Sequence, residues 1–254
     1  MQRNFAPALA AALALATATV FAGTPQLNEA PPAPAITKSR TTQQTFAAET
    51  ATPSGFVIDP ASRETARVFF RTVYAASENV PIGWTGSVAS GDAGTTSADF
   101  KDAVRRRVNY FRAMAGLSAG ITFDATYNSK DQQAALMMSA NDSLSHAPPT
   151  TWKYYTSDGA DATGHSDLFL GYYGPPAITG YIQDFGSPNA SAGHRRWILY
   201  PQTKTMGTGD IPPDGSYQSA NALWVAMPDF GTTRPAVRDN FVAWPPPGFV
   251  PFSL

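Results

Sequence analysis

The sequence predicts an α+β fold in which helices pack on an antiparallel sheet. Three observations carry that prediction. Apolar stripes at helical spacing dominate between residues 59 and 146, strand-like runs dominate after residue 195, and the joints between them are long and irregular. Regular alternation of strand and helix, the mark of βαβ units, is absent. With 43 % hydrophobic and 12 % aromatic residues in 254, the chain has enough apolar material for one large domain.

The elements follow in order. After Gln2 and Arg3 comes "FAPALAAALALATATVFA", an uncharged, alanine-rich stretch ending in Val20-Phe21-Ala22. Residues 1–22 therefore read as a signal peptide cleaved after Ala22, and the mature protein is expected to be secreted or periplasmic. Pro7 and the weak hydrophobicity of alanine and threonine argue against a retained transmembrane span. Residues 23–55, dominated by Pro, Ala, Thr and Gln, read as a linker. The folded domain is expected over residues 56–240.

Asp59 and Pro60 mark a first helix, with Ala66, Phe69, Phe70 and Val73 on one face. In "ADFKDAVRRRVNYFRAMAG" the apolar residues Phe100, Val104, Val108, Phe111 and Ala115 form a second helical stripe, and Gly116 supplies a left-handed stop. Asp124 caps a third helix expected to run through "QQAALMMSAN" towards His146 and to end at Pro148-Pro149. "PPAITGYIQDFG" reads as a short helix closed by Gly186. "RRWILYP", "KTMGTGD" and "NALWVAM" read as strands. The tail, residues 241–254, is apolar around Pro245-Pro246-Pro247. Trp244 is expected to pack back on the domain, and the residues after Pro247 to lead into a further domain.

Charge and cysteine content exclude several functions. The net charge is −1, and the run Arg105-Arg106-Arg107 reads as a solvated helix face, so no nucleic-acid partner is expected. There is no cysteine, which removes thiol nucleophiles and thiolate metal sites.

Chemistry concentrates between residues 142 and 194, which hold all three histidines and several aspartates. In "SPNASAGHRRWILYP", His194 follows a small-residue loop where a new element begins. Neutral imidazole with carboxylates suits zinc or another divalent ion with water in an open position. No HExxH-type pair occurs, so His146 and His194 would have to meet by folding. "GHSDL" is not a nucleophile elbow, because Leu168 stands where the second glycine is needed. His165 is a further candidate ligand, and Arg195 could orient a carboxylate behind a cleft. Trp152, Tyr154, Tyr155, Tyr172 and Tyr173 are candidates to line a ligand groove.

Four segments taken together carry a resemblance. "VNYFRAMAGL", "LSHAP", "GHSDL" and "SAGHRRWILYPQTKTMGTGD" occur in the order and spacing of the CAP superfamily, the cysteine-rich secretory, antigen 5 and pathogenesis-related proteins, in its bacterial SCP-like form. The resemblance implies a three-layer α-β-α sandwich with a central cleft lined by two histidines and two acidic residues able to hold a divalent metal. The histidines would be His146 and His194, and the second acid Asp184. The chain departs at the first acid, where Ser166 stands in place of glutamate, flanked by Asp167 and His165.

Two functions follow as expectations. One is a secreted protein binding a small molecule, lipid or protein partner in its cleft. The other is a metal-dependent peptide or ester hydrolase, in which His146 and His194 hold an ion and Asp184 acts as base.

Overall fold

The structure, a computed structural model, describes residues 26–28, 31, 55–226 and 229–254. The segment read as a signal peptide and most of the segment read as a linker lie outside the described residues.

A five-stranded sheet, ordered β1-β3-β5-β4-β2, sits between two helical layers. Its strands are β1 (Gln26–Leu27), β2 (Thr122–Phe123), β3 (Ser166–Leu170), β4 (Thr205–Ile211) and β5 (Ala220–Trp224). The pairings β1–β3, β3–β5 and β4–β5 are antiparallel, while the short edge strand β2 runs parallel to β4. This is the expected α-β-α sandwich. Gln26 and Leu27, within the stretch read as a linker, supply the other edge of the sheet. Pro31 also touches the domain, its carbonyl accepting a hydrogen bond from Trp197 Nε1 at 2.7 Å.

Strand alternation divides the core. Leu168, Leu170, Ala222 and Trp224 face the layer of α3 (Ala125–Asn141) and α4 (Ser157–His165), packing on Ala135, Leu136 and Met138. Phe169, Leu223 and Met206 face the opposite layer of α1 (Arg63–Phe69), α2 (Ala98–Met114), α5 (Gly174–Gln183) and α6 (Gly193–Ile198), against Val108, Phe111 and Ile178. The two glycines of "MGTGD" belong to the first face. A Cβ at Gly207 or Gly209 would strike the backbone of α3 at Tyr127 or Asp131, so these glycines let the helix lie directly on β4.

Local signals place most helices. Ser97 Oγ accepts from Phe100 N, Asp124 Oδ1 from Tyr127 N, and Gly116 takes φ +79° beyond α2. Several expectations are corrected. The first helix starts at Arg63 under a Ser62 cap, because Asp59 closes a turn onto Ala61 N instead. The third ends at Asn141, where Asp142 turns left-handed, well short of His146. "RRWILYP" opens within a helix, not a strand: His194, Trp197 and Ile198, at steps of three and one, are its buried side. The long irregular joint expected between the third helix and "PPAITGYIQDFG" holds both α4 and β3.

The tail folds onto the domain. Trp244 meets Phe111 edge-on at 5.0 Å, Phe249 N donates to Pro60 O, and Val250 and Leu254 are partly buried against the same core. No described helix is long and apolar enough to cross a membrane.

Candidate functional site

The junction of α5 and α6 builds a buried polar centre. Asp184 closes α5 in the left-handed conformation, φ +52°, and turns the chain towards α6. Asp184 Oδ1 lies 2.7 Å from His194 Nδ1, and Oδ2 accepts from Arg195 N at 3.2 Å. The Arg195 guanidinium donates to Ile182 O at 2.5 Å and Gln183 O at 2.9 Å, satisfying carbonyls that the helix end leaves open. The Gly-His-Arg sequence therefore works as a clamp on the end of α5.

Tyr181 stacks on His194 with ring centroids 5.5 Å apart, and its hydroxyl donates to Asn221 Oδ1 at 2.8 Å. It also reaches the backbone oxygen of Asp167 at 3.0 Å. The Asp167 side chain points to this face of the sheet, and among the described residues neither of its carboxylate oxygens has a hydrogen-bond partner. His194 Nε2 likewise has no hydrogen-bond partner among the described residues. Burial, reinforced by the nearby Asp184 carboxylate, pushes the Asp167 carboxyl well above the usual range. Burial also raises the Tyr181 phenol. The side chains of His194 and Asp184 are 0 % exposed, so this centre meets no solute directly.

The other candidates lie elsewhere. Ser166 points to the opposite face, where its Oγ donates to Asp131 Oδ1 at 2.7 Å. His146 is half-buried, with Nδ1 2.6 Å from Thr163 O. His165 lies flat on Trp224, centroids 4.7 Å apart, and its Nδ1 is 2.8 Å from Asp161 O.

A larger opening lies on the outer side of α5. It is a groove of about 940 Å³ between α2, α5 and the segment following α1, lined by Val80, Ile82, Phe100, Tyr172, Tyr173 and Pro175 among others. The chain reaches it through a π-helical turn, Phe70–Tyr74, and a 3-10 turn, Ala75–Ser77. Arg107 forms the wall. Its guanidinium stacks 3.5 Å over the Tyr74 ring and donates to Ser77 Oγ and Thr179 Oγ1, both at 2.8 Å. Only 2 % of Arg107 is exposed, which corrects the expectation of a solvated arginine run. Asp102 instead ion-pairs with Arg105 and Arg106 on the outside of α2. Tyr172 and Tyr173 fall in this groove; Trp152 and Tyr154 pack beneath the other layer. Tyr172 and Tyr173 are the part of this groove legible in the sequence; its other walls come from separated segments that only folding brings together.

Comparison with known families places this architecture. Residues 105–226 match the model of the cysteine-rich secretory protein family, CAP. This part of the chain is a CAP-family domain. No curated protein matches the chain. The CAP match begins inside α2 and ends just past β5, so it contains the polar centre and the α5 wall of the groove.

The metal expected from the CAP resemblance is overturned. Among the described residues, no group of three or more His, Asp or Glu is placed to hold an ion. The donors explain why. His194 and Asp184 are committed to each other inside the core, His146 bonds a backbone carbonyl, and His165 is stacked on Trp224. The residues present do not fit zinc or another divalent ion.

Proposed function

We propose that this CAP-domain protein is exported and binds a small, largely apolar molecule, a lipid or similar, in the groove between α2 and α5. The groove is the observation that carries the reading. Its volume of about 940 Å³ falls in the range of small-molecule sites, and its aromatic and proline walls with a few hydroxyls match their usual lining. The buried Asp184–His194 pair has a positioning role in this reading. It fixes the end of α5, and Gln183 and Phe185, the neighbours of Asp184, line the groove. Export is supported by the uncharged stretch ending in Val-Phe-Ala, and N-terminal sequencing of exported material is expected to return Gly23.

A neutral apolar probe tests the site. N-phenyl-1-naphthylamine is expected to bind saturably, with its fluorescence rising as it leaves water. Gln183→Trp, an exposed change on the groove wall, should weaken binding about tenfold or more by filling the space. Unchanged binding in a variant of unchanged melting temperature would remove the groove as the site.

A further inference from the structure

We infer that the domain holds a second ligand site, for an organic anion with an aromatic or aliphatic body, between α6 and the C-terminal tail. The site is a separate pocket of about 510 Å³. Arg195, Arg196 and Arg234 line it together with Leu199, Val242 and Trp244, and no aspartate or glutamate is among its lining residues. Three guanidinium groups beside an apolar floor is an unusual juxtaposition in a chain with a net charge of −1.

The three arginines have different commitments. Arg195 is held by the α5 carbonyls, so it contributes field more than direct bonds. Arg196 is exposed and makes no side-chain hydrogen bond or ion pair among the described residues. Its five N–H donors suit a carboxylate, sulfonate or phosphate in bidentate geometry. Arg234 adds a second positive charge from the tail side.

The apolar half is also built. Trp244 is anchored edge-on against Phe111, so the floor is rigid. Phe241 stands at the pocket with 65 % of its surface exposed. An aromatic side chain left in water at the same pocket as the unpaired guanidinium of Arg196 is the arrangement that an amphiphilic anion completes. Its head meets Arg196 in the field of the neighbouring Arg234, and its body covers Leu199, Val242 and Phe241. The volume admits a small molecule and not a folded partner.

The purified full chain tests this with two related probes. 8-Anilinonaphthalene-1-sulfonate carries the charge, and N-phenyl-1-naphthylamine has the same rings without it. Arg196→Glu is expected to weaken the sulfonate about tenfold or more and leave the amine unchanged. Arg196→Lys should keep part of the affinity, and Arg234→Gln should give a smaller loss in the same direction. Displacement of the sulfonate by free dodecanoate, with little effect of inorganic sulfate at equal ionic strength, supports an anion with an apolar body. Sulfonate binding unmoved by both Arg196→Glu and Arg234→Gln overturns the site. So does full displacement by inorganic sulfate, which would leave only an anion site. Sedimentation with phosphatidylglycerol vesicles that free dodecanoate does not reverse would assign the charge to a membrane surface and overturn the pocket. The Gln183→Trp groove variant, expected to lose the amine and keep the sulfonate, separates failure here from failure of the groove.

Discussion

Two adjacent residues of β3 show how differently the faces of one sheet are used. Ser166 faces the α3 layer, where its hydroxyl and Trp224 N both donate to the carboxylate of Asp131, at 2.7 and 2.9 Å. Asp167 faces the α5 layer, where its own carboxylate receives nothing. Both carboxyls are fully buried, and burial raises both above their usual range. The difference lies in the partners. Asp131 is a satisfied tie between a helix and two strands. Asp167, with Asp184 and His194 close by, is an unsatisfied group that the surrounding fold has to hold in place. The α5 layer also holds a satisfied carboxylate, since Asp210 accepts from Gly174 N, Thr208 Oγ1 and Asn221 Nδ2, so the contrast is between the two sites and not between the two faces.

The largest effect should come from removing the tie. Asp131→Ala leaves two buried donors without an acceptor, each costing about 1–3 kcal/mol, so a loss of about 2–6 kcal/mol is expected. That corresponds to a melting temperature lower by roughly 4–24 °C in a thermal scan. A change within a degree or two would break the comparison, since Asp131 would then be no better served than Asp167.

Asp167→Asn should act in the opposite direction, stabilising by about 1–3 kcal/mol at pH 8, because a permanently neutral isostere removes the cost of holding an ionisable carboxyl where burial opposes its charge. The pH dependence follows from the raised carboxyl. An acid whose folded value lies above its unfolded one binds more protons when folded. Stability is therefore fully present below the unfolded value, about 3.9, and is lost as pH rises from there through the folded value. Asp131 and Asp210, also raised by burial, carry the same sign. The advantage of the asparagine variant should thus be present at pH 8 and absent near pH 4. A variant less stable than the parent at pH 8 would mean that Asp167 has a partner after all.

The faces were not equally readable in the sequence. The α2 stripe and the Asp124 cap of α3 are local signals, and both survive folding. β3 is buried on both faces, so "SDLFL" shows no clean alternation, and α4, "SDGADATGH", is made of weak helix formers held by a Thr156 cap and packing on α3. Asp184 and His194 were both nominated from the sequence, and the structure bonds them to each other. The weight placed on Ser166 illustrates the limit. A one-residue step along a strand reverses the face, so Ser166 and Asp167 exchange roles with no change in composition. Arg107 was hidden for a related reason: nothing in "RRR" says which guanidinium turns inward, and only Tyr74, Ser77 and Thr179, brought from elsewhere, decide it.

The smallest expected effect sharpens the comparison most. Ser166→Ala removes one hydrogen bond to Asp131 Oδ1 and leaves Trp224 N in place, so a loss of about 1–2 kcal/mol is expected, well short of Asp131→Ala. Its dependence on pH carries the argument. The serine hydroxyl favours the charged carboxylate and partly offsets the burial that raises Asp131. Without it the folded value moves further up, the gap to the unfolded value widens, and the stability lost with rising pH grows. Ser166→Ala should therefore steepen the fall in stability between pH 5 and pH 8, while Asp167→Asn, one residue away, should flatten it. Opposite slopes from neighbouring positions require the two carboxyls to sit in separate environments on the two faces. Parallel slopes, measured by thermal melts across that range, would place them in one coupled network and remove the distinction.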